Sequence, residues 1–171
     1  MEQNLAEQVS ARIKEFKLPG YDQIPDVGLY LEQTVRFIDE HLDPLPNVSI
    51  TGSMVSNYVK KGLIPNPVKK LYDREQIAWL IFIAVAKSVL SLEDIGLLIE
   101  LGKRTYPTPR AYEYFVQEFM NVLHYVFGLK DTLDNVGVDS TDEKVMLRNT
   151  IFTVALKSYL DGCFAVLHEE E

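Results

Sequence analysis

Ile50–Ile99, ITGSMVSNYVKKGLIPNPVKKLYDREQIAWLIFIAVAKSVLSLEDIGLLI, decides how the rest of the chain is read. Thr51 or Ser53 can accept a hydrogen bond from the free N–H groups that begin a helix, and Gly62 can take the left-handed conformation that ends one. The spacing therefore predicts a short helix reaching about Lys61. Met54, Val55, Tyr58 and Val59 fall on one side of it, and Ser53, Ser56, Asn57 and Lys60 on the other at i, i+3, i+4 and i+7. In the following GLIPNPVKKLY, Pro65 and Pro67 interrupt regular structure before Lys69 and Lys70, and Leu71 and Tyr72 close an extended basic turn. Asp73 with Gln76 forms a capping box for a second helix. Ile77, Leu80, Ile81, Ala84 and Val85 lie on one face of this helix and Trp79, Phe82 and Ile83 elsewhere, so it is expected to be covered on most sides. Ser91, with Asp94 three residues on, opens a third helix that Gly102 is expected to close.

Charge isolates the same stretch. The 171 residues carry a net charge of -8, yet Ser53–Lys87 holds six cations against two acids. An acidic chain repels phosphate, which argues against indiscriminate nucleic-acid binding but leaves room for a local basic surface.

Outside this stretch, Leu5, Val9, Ile13 and Phe16 predict an amphipathic helix within residues 1–17, and Pro19, Gly20 and Pro25 break it. Leu31, Val35, Ile38 and Leu42 predict a helix over 29–42, stopped by Pro44 and Pro46. Lys103–Pro109 reads as a linker or hinge. Beyond it, Tyr112, Phe115, Val116, Phe119, Leu123, Val126 and Phe127 form an apolar stripe on a helix over 110–128. A polar loop through residues 131–143 leads to a last helix, capped near Ser140 or Thr141 and running to Leu167. The chain so divides into an N-terminal helix and connector (1–28), a head (29–102) and a C-terminal helical hairpin (103–171).

The order Gly62-Leu63-Ile64-Pro65, then Lys70-Leu71-Tyr72 followed by acids, then Leu90-Ser91-Leu92-Glu93-Asp94-Ile95, resembles the winged helix-turn-helix of MerR-type transcription regulators. SNYVKKGLIPNPVKKLY is also similar to an uncharacterised bacterial family, domain of unknown function 1836. The resemblance implies a mainly α fold with a short β wing on the head, a homodimer formed through the C-terminal helices, and binding to double-stranded DNA. Where MerR recognition helices present arginines before paired tyrosines, this chain has Ser53 and Ser56, then Asn57 and Tyr58.

Ser53, Ser56, Asn57 and Tyr58 are the residues expected at base edges or neighbouring phosphates. Lys60, Lys61, Lys69 and Lys70, with Tyr72 at the wing end, are expected along the backbone. The alternative function is a protein-interaction adaptor that keeps the winged-helix shape without specific DNA binding. Aromatic stripes at helical spacing are usually core, but Tyr112, Phe115 and Phe119 could line a pocket for a flat apolar effector.

Other classes lack support. Cys163 stands alone, which excludes an internal disulfide and a Cys-cluster metal site, and His41, His124 and His168 lie on separate segments. There is no phosphate-binding loop, nucleophile elbow, zinc-protease motif or dinucleotide-binding turn. Neither an enzyme nor a cofactor is expected. No apolar run reaches the roughly 20 residues of a membrane span, and the N-terminal residues show no secretory h-region, so a cytoplasmic protein is the expectation.

Overall fold

The computed structural model describes residues 4–137 and 140–171. The first three residues of the predicted N-terminal helix, and residues 138 and 139 of the predicted polar loop, lie outside them. Among the described residues the chain forms helices α1 (Leu5–Ile13), α2 (Leu31–Leu42), α3 (Gly52–Lys60), α4 (Arg74–Ala86), α5 (Leu92–Thr105), α6 (Thr108–Val126) and α7 (Asp142–Glu169).

α4 sits at the centre. Every residue from Gln76 to Ala86 is buried, and the helix packs against α2, α5, α6 and α7. Its sequence is apolar on all sides because no side of it meets solvent. The predicted capping box is present: Asp73 Oδ1 accepts from Gln76 N, and Gln76 Oε1 accepts from Asp73 N, both at 2.8 Å. Thr51 caps α3, Ser91 caps α5 and Thr141 caps α7, each through its hydroxyl oxygen.

α6 and α7 form the expected hairpin. Asn121 clamps the connection between them, donating from Nδ2 to Asp134 O and accepting at Oδ1 from Asp134 N, both at 2.9 Å. Arg148 Nε donates to the fully buried Glu118 at 2.9 Å, tying α7 to α6. α1 lies along α7, where Gly162 lets it approach: a Cβ at that position would stand 3.0 Å from Val9 Cγ1.

α7 has two apolar faces. At 3.6 residues per turn, the buried Ile151, Val154, Ala155, Ser158, Gly162 and Val166 share one side. Val145, Leu156, Leu160, Phe164 and Leu167 share the opposite side and are roughly half exposed. α7 is long and apolar enough, by length and composition, to cross a membrane, although no uninterrupted apolar run does so.

Three expectations need correction. Gly102 does not end α5, which continues to Thr105; the stop is set by Pro107, since the residue before a proline is forced into extended backbone and Tyr106 has φ -139 and ψ 151. The linker over 103–109 shrinks accordingly to Tyr106 and Pro107. The β wing does not form as strands. Among the described residues only isolated antiparallel bridges occur, Leu29 with Tyr72 and Val68 with Leu71. Pro65 and Pro67 remove two donors just ahead of the turn, so no ladder can extend there.

Candidate nucleic-acid interface

α3 divides as its pattern requires. Val55 and Tyr58 are buried, and Met54 and Val59 pack against the core. Ser53, Ser56, Lys60 and Lys61 are exposed, and Asn57 is half-buried. The helix ends in a Schellman motif: Gly62, at φ 76, donates to Val59 O at 3.0 Å and Leu63 N donates to Tyr58 O at 2.9 Å. That ending fixes the direction in which the chain leaves toward the basic turn.

The turn itself is a two-residue hairpin. Val68 N donates to Leu71 O at 3.2 Å and Leu71 N to Val68 O at 2.9 Å, with Lys69 and Lys70 between them at φ 51 and φ 66. Two successive left-handed residues belong to the type I′ turn, whose usual occupants are Asn-Gly. Lysine has no local hydrogen bond with which to offset the crowding of its Cβ in that region. Both lysines are exposed.

The turn is anchored at both ends. Gln76 Nε2, on the first turn of α4, donates to Pro65 O at 3.1 Å and Asn66 O at 3.2 Å. On the other side Leu29 and Tyr72 exchange hydrogen bonds of 3.0 and 2.8 Å, and Arg74 Nε holds Ile24 O at 2.8 Å. The lysine pair thus stands on a fixed base, with Val68 and Tyr30 exposed near it.

Two expected contacts are corrected. Tyr58 is 1% exposed and Tyr72 4%, so neither ring can touch a duplex. Tyr58 serves the core: its ring lies under Lys87, whose Nζ is 5.6 Å from the ring centroid, and its hydroxyl is buried without a partner among the described residues. Burial also raises the Tyr72 phenol above its ordinary pKa. Tyr30, absent from the expected contacts, is 56% exposed and adjoins the Leu29–Tyr72 bridge. Nothing in its local pattern distinguishes it. Lys61 borders a cleft with Glu93, Glu100 and Lys103 of α5, so the C-terminal end of α3 faces mixed charge.

Of the expected pocket residues, Tyr112 and Phe115 line a cavity of about 310 Å³. Phe119 is instead fully buried, edge-on to Phe16 with ring centroids 6.3 Å apart, and belongs to the core. No group of three or more metal-ligating side chains occurs among the described residues.

The family model of a domain of unknown function, DUF1836, matches residues 19–115. The chain belongs to the DUF1836 family. The match takes in α2 through α5 and the first turns of α6, and so covers α3, the lysine turn and α4 together. No curated protein matches the chain, and no solved structure does. In this DUF1836 chain, α1 and α7 lie outside the matched span, yet both contribute residues to the one core cluster that includes α4.

Proposed function

We propose that this DUF1836 protein is a cytoplasmic transcription regulator that binds double-stranded DNA, with α2 and α3 acting as a MerR-like helix-turn-helix and the Lys69–Lys70 turn as a minimal wing. The observation that carries this reading is the turn. Two lysines occupy left-handed positions that glycine or asparagine would fill at lower cost, on a loop tied down by Gln76 and by the Leu29–Tyr72 bridge. Strain of this kind persists where the strained residues are needed for what they present. Here they present two ammonium groups at a fixed location, which suits phosphate. On α3, Ser53, Ser56 and Asn57 supply hydroxyls and an amide for base edges or phosphates, and Lys60 and Lys61 supply further charge. Tyr58 and Tyr72 have no part in the contact.

Dimerisation belongs to the same proposal. The outward side of α7, from Val145 to Leu167, carries a charge-free stripe about 100° wide that none of the described residues covers. A second α7 laid against it would bury that stripe and pair two heads on one duplex.

Selection of bound fragments from randomised duplex DNA at near-physiological salt tests the proposal. Enrichment of a sequence motif supports it, as does a uniform loss of binding in Lys60→Ala/Lys70→Ala. A second reading is a protein-interaction adaptor, favoured by the net charge of -8. In that case the selection enriches nothing and a pull-down returns a protein partner.

A further inference from the structure

The cavity beside α4 is built from parts far apart in the chain. Trp79 and Phe82 of α4, Leu98 of α5, Phe115 of α6 and Leu147 of α7 all face it. Its volume of about 310 Å³ lies at the small end of the roughly 300–1,000 Å³ range of small-molecule sites. The polar atoms deep in its wall are already engaged. Trp79 Nε1 donates to Thr108 Oγ1 at 3.2 Å, Thr108 donates to Glu75 at 2.6 Å, and Tyr112 donates its hydroxyl proton to Pro19 O at 2.8 Å. The interior therefore offers ring faces and aliphatic edges rather than open hydrogen bonds.

The rim differs. Arg110 lies 5.0 Å from the Tyr106 ring centroid and Lys144 lies 4.8 Å from that of Tyr114, and both line the cavity. α6 begins at this rim without a side-chain cap, so the positive end of its dipole adds to the cations. Of the two rim carboxylates, Glu113 is engaged by the Tyr21 N–H at 2.6 Å, and Glu143 stands in the first turn of α7.

We infer that this cavity is a binding site for a small apolar carboxylate, its ring or branched chain between Trp79, Phe82 and Phe115 and its carboxylate at Arg110. Such an acid matches both halves of the site: dispersion and apolar burial inside, opposite charge outside. An uncharged molecule of the same shape uses only the first half. A cationic one is repelled at the rim.

Trp79 is the sole tryptophan and forms part of the wall, so its emission reports occupancy directly. The purified full chain is titrated with 4-phenylbutyrate, 4-phenylbutan-1-ol and 4-phenylbutylammonium under tryptophan-selective excitation. The expected result is a saturable change with 4-phenylbutyrate, about tenfold tighter than with the alcohol, and the ammonium weakest of the three. Arg110→Gln should bring the acid down to the alcohol's affinity. Ala111→Phe and Leu98→Phe, each checked for a native far-ultraviolet spectrum and cooperative melting, fill the cavity and should abolish the change. The inference is overturned if no probe saturates, if acid and alcohol bind alike, or if both folded, filled variants still bind. DNA is absent from the experiment, so its outcome is independent of the DNA-binding proposal.

Discussion

Replacing Lys69-Lys70 by Asn-Gly should make the protein more stable and less able to bind DNA. The two lysines sit at φ 51 and φ 66 in a turn closed by Val68 and Leu71. An L-residue with a long side chain held in the left-handed region costs roughly 1–2 kcal/mol relative to its preferred backbone. Asparagine relieves part of this, and glycine removes it while returning roughly 0.5–1 kcal/mol through its greater freedom in the unfolded chain. The double substitution is thus expected to stabilise by about 1–1.5 kcal/mol, or roughly 3–5 °C in Tm for a chain of this length. Urea denaturation with unchanged m-value measures it. Fluorescence anisotropy on a selected DNA fragment, repeated across a salt series, measures the other side. Losing two phosphate contacts lowers the slope of log Kobs against log salt by about 2. A variant no more stable than the parent refutes the account of the strained turn, and one that binds with an unchanged salt slope refutes the role given to the lysines.

Three further outcomes follow from other contacts. Arg148→Met leaves Glu118 Oε1 without its partner beside an Oε2 that already has none, and should cost about 2–3 kcal/mol by urea denaturation. That is less than the roughly 3–5 kcal/mol of a fully buried pair, because the guanidinium is about 40% exposed; Glu118→Leu added to Arg148→Met should recover most of the loss. His124 is held below its ordinary pKa by burial, with Lys130 and Lys17 adding to the effect. The unfolded chain then binds the proton first, so stability falls as pH drops below about 6.5 until the folded pKa is passed, and His124→Gln should flatten that part of a Tm-against-pH curve. Leu160→Glu with Phe164→Glu should convert a dimer into a folded monomer in sedimentation equilibrium, and a parent protein that sediments as a monomer removes the dimer from the proposal.

What the sequence reveals here tracks how local the cause is. The caps each need only residues within one turn: Asp73 and Ser91 are legible outright, and the sequence narrows the other two to Thr51 or Ser53 and to Ser140 or Thr141, of which the structure uses Thr51 and Thr141. The burial of α4 is legible too, since a helix apolar all round has few other environments. Gly102 misleads because glycine inside a helix looks like glycine at its end; a Cβ at this position would stand in ordinary contact, 3.6 Å from the edge of the Trp79 ring, so the packing of α4 and α5 does not demand a glycine there. Tyr58 exposes a conflict between two kinds of reasoning. Helical spacing puts it with Val55 on the inner side, resemblance puts it on DNA, and its 1% exposure follows the spacing. The left-handed lysines carry no signal, because the Asn-Gly that marks such a turn is absent. The cavity is half legible: the stripe gives Tyr112 and Phe115, but Trp79, Leu98 and Leu147 reach it only through the packing of four helices.

One turn of α4 holds the basic loop and the cavity wall together. Gln76 reaches outward to Pro65 and Asn66, while Glu75 and Trp79 are joined through the Thr108 hydroxyl at the start of α6. Residues 76 and 79 stand three apart on a helix, so they move as neighbours. This bears on how the Asn-Gly variant is to be interpreted. Lys69 and Lys70 contribute none of these bonds; the turn is closed by the backbone of Val68 and Leu71 and anchored by Gln76. Changing the two side chains leaves that frame in place and relaxes the backbone it holds. A loss of DNA affinity accompanied by a gain in stability can then come only from the missing ammonium groups, because a disturbed α4 would lower both.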